Sequence, residues 1–280
     1  MSYKIVVDSC CDLTPEKKKD PHFQIVSLTL EVGGVSYIDD ETFDQAVYLK
    51  AVAASKECAH TACPSPESYK RAYEGPEEMV FVVTLSQHLS GSYNSALVGK
   101  SLFEEENPAS TKRIHVFSSD SACCGESLVA FKIQELCEAG CTFEDIVAGT
   151  QDFLYNMKTY FVLEDMEPLR KNGRLTGLAA LVVSALNIRP IMAGDHGVIV
   201  RVGQKRGIAR ALKAMVDHAL SDDPKTEDKI LAVTHVNCRE RAEWVISLIT
   251  AKAKFREVYL VDAAGVATTY AGDGGIVLTF

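Results

Sequence analysis

Met79-Val-Phe-Val-Val-Thr84, followed by Leu85-Ser-Gln-His-Leu-Ser-Gly-Ser-Tyr-Asn-Ser-Ala96, is the stretch that decides the fold. An apolar run without polar alternation describes a strand buried on both faces, as in a parallel sheet covered by helices. The hydroxyl-rich run behind it opens a helix near Ser92. Residues 86–92 therefore fall at the carboxyl end of the strand, where open α/β sheets place their ligands. Clustered hydroxyls at that place predict a site for an anion or a carboxylate. Thr61-Ala-Cys-Pro-Ser-Pro66 is a second loop of the same chemistry. Neither segment carries a general base, a set of metal ligands or a Gly-rich phosphate loop, so binding is expected rather than catalysis.

Outward from this strand, residues 4–7 read as a short strand ending in Asp8-Ser9, and residues 114–117 as another that runs into Asp120-Ser121. Thr14-Pro15-Glu16, Ser65-Pro66-Glu67 and Thr142 with Asp145 carry helix-start signals. Thr42 with Gln45 predicts a capping box. Gly33-Gly34 lies between two β-branched runs and predicts a two-residue hairpin. Beyond residue 158, six strand-like segments alternate with helices around 207–220 and 239–253. The expected fold class is α/β in two α/β domains, residues 1–158 around a parallel sheet and residues 159–280 around a mixed one.

The chain has 280 residues with 29 Lys and Arg against 38 Asp and Glu, a net charge of −9. That balance repels a polyanion, so nucleic acid is not an expected partner. No stretch reaches the roughly 18 apolar residues of a membrane span, and the first apolar run is too short for a signal peptide. No integral membrane association and a cytoplasmic location are expected. Nine scattered cysteines without a C-x-x-C pair read as reduced thiols. Charge is uneven: residues 170–213 carry nine basic side chains and one acidic one, Asp195, so this segment is +8 while the remainder is −17. It reads either as solvated surface or as a docking face for an acidic or phosphate-bearing partner.

No G-x-S-x-G, G-x-G-x-x-G or Gly-Lys-Ser/Thr motif occurs, so elbow hydrolases, dinucleotide sites and P-loops lack their marks. Asp8, Asp12, Asp39, Asp40 and Asp120 lack histidines at ligand spacing, and no metal site is expected. Asp8 and Asp120 are expected instead to accept backbone N–H bonds in the turns after their strands. The competing expectation is a metal-dependent enzyme on a small phosphorylated or carboxylated metabolite, built from Asp8, Asp120 and the hydroxyl loops.

Six blocks in order resemble one family. Asp8-Ser9 with Asp12-Leu13 is similar to D-S-x-x-D-L, Thr61 to Ser65 to T-S-Q-P-S, and Ser86 to Ala96 to S-S-x-L-S-G-T-Y-x-S-A. Asp120-Ser121 with Gly125, Leu169-Arg-Lys-Asn-Gly-Arg174 and Arg189-Pro190 complete the series. The chain resembles the DegV family, which includes the fatty-acid-binding subunits of bacterial fatty acid kinases. The resemblance implies a long-chain fatty acid held non-covalently at the domain junction, its tail in an apolar tunnel and its carboxylate presented to a separate ATP-dependent fatty acid kinase. On the matched motifs, Thr61, Ser90 and Gly91 would receive the carboxylate, joined by Tyr270 where relatives carry a histidine. Asp8, Ser9, Ala62, Ser86, Ser92, Asp120 and Ser121 would support the loops. Arg170, Lys171, Arg174, Arg201, Lys205 and Arg206 would form the docking surface. Phe161, Leu163, Leu178, Leu181, Val182, Ile188 and Ile191 are the expected tunnel residues. The reading assigns no catalytic residue, and no cofactor apart from the bound fatty acid.

Overall fold

The computed structural model describes residues 2–175 and 187–280; the expected tunnel residues Leu178, Leu181 and Val182 lie outside them. Strand β6 (Met79–Thr84) is buried along its whole length. It lies in a four-stranded parallel sheet of order β2 (Phe23–Val26), β1 (Tyr3–Asp8), β6, β7 (Arg113–Ser118). Strand alternation divides its core in two. Ile5, Val7, Phe81 and Val83 face α5 (Cys124–Glu138) and α6 (Phe143–Asn156), while Val6, Val80 and Val82 face α3 (Pro66–Ala72) and α4 (Ser92–Glu106). A Cβ on Gly99 would stand 2.6 Å from the Pro66 carbonyl oxygen and 2.9 Å from Tyr69 Cβ, so glycine lets α3 and α4 cross closely. The chain leaves β1 toward β2 and returns to β6 on the other side, which makes the β1/β6 boundary the topological switch point.

The second sheet has the order β10 (Val198–Arg206), β9 (Ile188–Asp195), β8 (Thr159–Val162), β13 (Ile276–Thr279), β11 (Ile230–His235), β12 (Glu257–Asp262). It is mixed: β11 pairs with β12 in parallel and the other neighbours are antiparallel. One face packs on α8 (Ile208–Asp222) and α9 (Arg239–Thr250). The other face turns Phe161, Met192, Ile199 and Val277 toward α5, α7 (Glu167–Lys171) and α10 (Gly265–Ala271). Helix α5 thus serves both sheets, Val129 and Ile133 facing the first and Cys124 and Leu128 the second.

A third sheet, β4 (Val35–Ile38), β3 (Thr29–Val32), β5 (His60–Ala62), contains the predicted hairpin. Gly33 and Gly34 take φ of 59° and 75°, the left-handed pair such a turn requires. The segment expected as a hydroxyl loop begins as strand: Thr61 pairs with Leu30 in β5. Thr14, Ser65 and Thr142 cap α1 (Pro15–Lys18), α3 and α6 as their sequences predict. Helix α2 (Gln45–Ala54) differs. Asp44 caps it, accepting from Val47 N at 3.0 Å, because the Thr42 hydroxyl is engaged with the Asp40 carboxylate at 2.6 Å. Among the described residues no helix is long and apolar enough to cross a membrane.

Candidate ligand site

At the switch point Asp8 is fully buried, and it collects three donors from three segments. Its Oδ1 accepts from Cys10 N at 3.0 Å, and its Oδ2 accepts from Leu85 N at 3.0 Å and Ser92 Oγ at 2.6 Å. These bonds fix the loop after β6 and the first turn of α4 against the end of β1. Burial pushes the Asp8 carboxyl up to about 6 against the opposing pull of the donors. Glu126, on α5, is also fully buried, and its carboxyl lies within 4.8 Å of the Asp8 and Cys10 ligand atoms. Neither of its oxygens meets a hydrogen-bond partner among the described residues. Burial first, and then the Asp8 charge, hold its pKa well above the ordinary range, so Glu126 is a neutral acid beside a carboxylate. The neighbouring Cys123 thiol first, and then burial, push the Cys10 thiol far up. Asp8, Cys10 and Glu126 offer ligand atoms close enough together to meet one ion, but Asp120, the other carboxylate of the metal-enzyme expectation, is not among them.

The other supporting residues tie loops to each other. Ser9 Oγ accepts from Leu28 N at 3.0 Å, and Ser86 Oγ donates to the Gly197 carbonyl at 2.7 Å, reaching the β9–β10 turn. Ser121 accepts from Ser86 N through its carbonyl at 2.8 Å, and its hydroxyl stands 2.8 Å from that of Thr159. Asp120 differs from expectation: its Oδ1 accepts from the Ser118 hydroxyl at 3.0 Å rather than from a backbone N–H. Ala62 is exposed and serves only in the pairing with Thr29.

Two further aspartates position α10. Asp39 accepts from Gly265 N at 2.7 Å and Val266 N at 3.0 Å, and a Cβ on Gly265 would stand 2.7 Å from that carboxylate. Asp12 accepts from Ala264 N at 2.7 Å and from the Thr234 hydroxyl at 2.9 Å; burial pushes its carboxyl up to about 7. Held this way, α10 delivers Tyr270 to strand β5, where its hydroxyl lies 2.9 Å from Thr61 Oγ1. Two residues separated by most of the chain, both expected on the carboxylate, are therefore in direct contact. Ser90 is half-buried and its Oγ accepts from Ser92 N at 3.2 Å. Gly91 caps α4 with an ordinary φ of −74°; a Cβ there would come within 3.2 Å of Cys63 Sγ, two residues beyond Thr61.

Against this polar cluster lies a cavity with space for the centre of a water molecule of about 100 Å³. Its walls include Leu85, Leu89, Phe161, Leu163, Leu169 and Ile199, and Tyr270 and Arg174 are its polar members at the Thr61 side. Arg174 was expected on the docking surface, but it is half-buried and turns inward, 5.4 Å from the Tyr270 ring centre. Its Nε donates to the Leu89 carbonyl at 3.1 Å and its Nη1 to the Asn172 carbonyl, while Nη2 meets no partner among the described residues. Phe161 and Leu163 line the cavity as expected. Ile188 is exposed, and Ile191 belongs to the opposite face of the sheet with α8, because alternation along β9 gives the cavity face to Met192. A wider groove between α5 and β12 is walled by Lys132, Glu135, Arg256 and Glu257, and Glu135 pairs with both Lys132 and Arg256. Leu128, Phe131, Phe153, Met157 and Phe280 form its floor, so apolar side chains and paired charges share this groove.

The remaining basic residues of the 170–213 segment are exposed, except Arg189, which is half-buried and pairs with Glu164 at 2.9 Å. Arg170 forms a two-bond pair with Glu167 at 2.7 Å, and Arg201 donates to Gln204 at 3.1 Å. Lys171, Lys205 and Arg206 have no ion-pair partner among the described residues. Arg201, Lys205 and Arg206 lie together on the edge strand β10.

Comparison with known proteins gives one consistent answer. A crystal structure of a DegV family protein from Ruminococcus gnavus, refined with vaccenic acid, superposes with a TM-score of 0.96 at 45% identity over 100% of both chains. The Streptococcus pneumoniae Fatty Acid Kinase (Fak) B3 protein, loaded with linoleic acid, is similar at a TM-score of 0.89 and 29% identity over 100% of this chain and 99% of that one. A DegV domain-containing protein of Streptococcus gordonii is 32% identical over 100% of this chain and 99% of its own length. The model of the family described as uncharacterised protein, DegV family, matches residues 2–280. The chain belongs to the DegV family.

Proposed function

We propose that the protein binds one long-chain fatty acid non-covalently and presents its carboxylate to a separate fatty acid kinase. The observation that carries this reading is the amphiphilic shape of the site, an apolar cavity lined at one side by Arg174 and Tyr270, with the Thr61 hydroxyl held against Tyr270 just behind that wall. A carboxylate buried without donors is costly, and here a guanidinium and two hydroxyls stand ready for it. Each tail methylene withdrawn from water contributes about 0.8 kcal/mol. Solved relatives carrying vaccenic, heptadecanoic and linoleic acid support the ligand class.

The protein acts as a carrier and performs no chemistry itself. Phosphoryl transfer rests on positioning and on cations around the phosphate, and a kinase supplies both. Lys171, Arg201, Lys205 and Arg206 form the surface that meets it, unpaired or weakly engaged charge being available for bidentate and point contacts with an acidic partner. A cytoplasmic location agrees with the nine cysteines, all free thiols.

Thr61→Val keeps the side-chain shape and removes the hydroxyl. In protein stripped of lipid, it is expected to weaken palmitic acid about 5- to 30-fold, the loss of ~1–2 kcal/mol from one hydrogen bond while Tyr270 keeps its own, and to leave methyl palmitate unchanged. Titration calorimetry checks this. Equal affinity of variant and wild type for the acid would contradict the assignment of the head-group end.

A further inference from the structure

We propose that Gly194 sets the longest acyl tail the cavity admits, an inference that rests on the fatty-acid reading above. Thr159 and Phe161 on β8, with Leu163 just beyond it, all line the cavity. At about 3.3 Å per residue these alternate positions span roughly 13 Å. Leu169 and Leu89 mark the Arg174 end, their carbonyls accepting from Arg174 N at 2.8 Å and Arg174 Nε at 3.1 Å. Thr159 marks the opposite end. There the register places Thr279 beside Thr159, Gly194 on the far side of Thr159, and Ile199 beside Gly194, so that one row across the sheet closes the cavity. The hydroxyls in that row are satisfied: Thr159 Oγ1 lies 2.8 Å from Ser121 Oγ and 3.3 Å from Thr279 Oγ1.

Nothing in the protein's own packing requires a glycine at 194. Its φ is not left-handed, and a Cβ there would meet only the Asp120 carbonyl oxygen and Thr159 Cβ, both at 3.7 Å, an ordinary contact distance. Gly99 and Gly265 are different, because a Cβ at Gly99 would stand 2.6 Å from the Pro66 carbonyl oxygen and one at Gly265 would run into Leu30 Cδ1 and stand 2.7 Å from the Asp39 carboxylate. Glycine inside a strand weakens it and leaves a surface for something else to approach. At Gly194 the vacated volume belongs to the cavity, at the Thr159 end rather than the Arg174 end, beside the Asp120 backbone, where a tail terminus would lie.

The test is Gly194→Val and Gly194→Ala in delipidated protein, titrated with lauric, myristic, palmitic and stearic acid. Valine suits a strand, and thermal unfolding verifies that both variants fold. The expected result is lauric-acid affinity within about 2-fold of wild type, and stearic-acid affinity about 10-fold lower in Gly194→Val. That factor corresponds to excluding about two methylenes at ~0.8 kcal/mol each. Alanine shifts the preference the same way by less. An unchanged chain-length profile, or an equal loss for all four acids, would overturn the role of Gly194 while leaving the fatty-acid reading intact. Wild-type protein that takes none of the four would overturn both.

Discussion

Replacing Glu126 by glutamine is expected to stabilise the protein progressively as pH rises from about 5 to 8. In the wild type, the unfolded chain releases the Glu126 proton near the ordinary glutamate range, while the folded protein keeps it, because burial and Asp8 hold the pKa well above that range. The folded state therefore binds more protons than the unfolded one across this window. The contribution is fully present below the unfolded pKa and is lost as pH rises, by about 1.4 kcal/mol per pH unit for a group that stays protonated when folded. Glutamine carries no such proton and matches the acid in size, so it fills the same space uncharged at every pH. Asp8 and Asp12, raised to about 6 and about 7, add slopes of the same sign that flatten above those values and persist in the variant. Urea unfolding at several pH values reads the difference directly. A stability gap between Glu126→Gln and wild type that does not change with pH would mean that Glu126 ionises normally inside the fold.

Arg174→Gln is expected to lower the affinity for palmitic acid about 10- to 50-fold and to leave methyl palmitate within about 2-fold. A hydrogen bond between ionised partners contributes about 1.5–3 kcal/mol, and a half-buried guanidinium sits toward the lower part of that range. Arg174 has two nitrogens engaged by the Leu89 and Asn172 carbonyls, which fix the fork against Tyr270 before any ligand arrives. That preorganisation is why glutamine does not replace it. Comparing acid with ester separates charge recognition from packing. Equal losses for both would assign Arg174 a purely structural place in the wall.

Much of the fold was legible in the sequence because its signals are local. The uninterrupted run 79–84, the Gly33-Gly34 pair and the caps at Thr14, Ser65 and Thr142 each depend on neighbours within a few residues. The contact of Thr61 with Tyr270 could be anticipated only through a shared motif order, since nothing local links strand β5 to helix α10. β5 itself has three residues and no hydrophobic pattern; pairing with β3 alone makes it a strand. Arg174 stands in a basic stretch whose composition speaks for a surface, and only the turn after α7 brings it inward. Glu126 gives no sequence sign of burial, because α5 is covered on two sides by two different sheets, a condition that amphipathic periodicity does not reveal. Ile191 was misplaced for the converse reason: β9 is apolar on both faces, and only its register with β8 tells which face is the cavity.

Native mass spectrometry of the purified protein, followed by organic extraction of whatever it releases, reads out whether the site between the sheets holds a fatty acid. The account predicts an added mass that matches one long-chain fatty acid, lost on extraction and restored by adding the acid back. Protein that carries no acyl chain and accepts none when it is offered would contradict it.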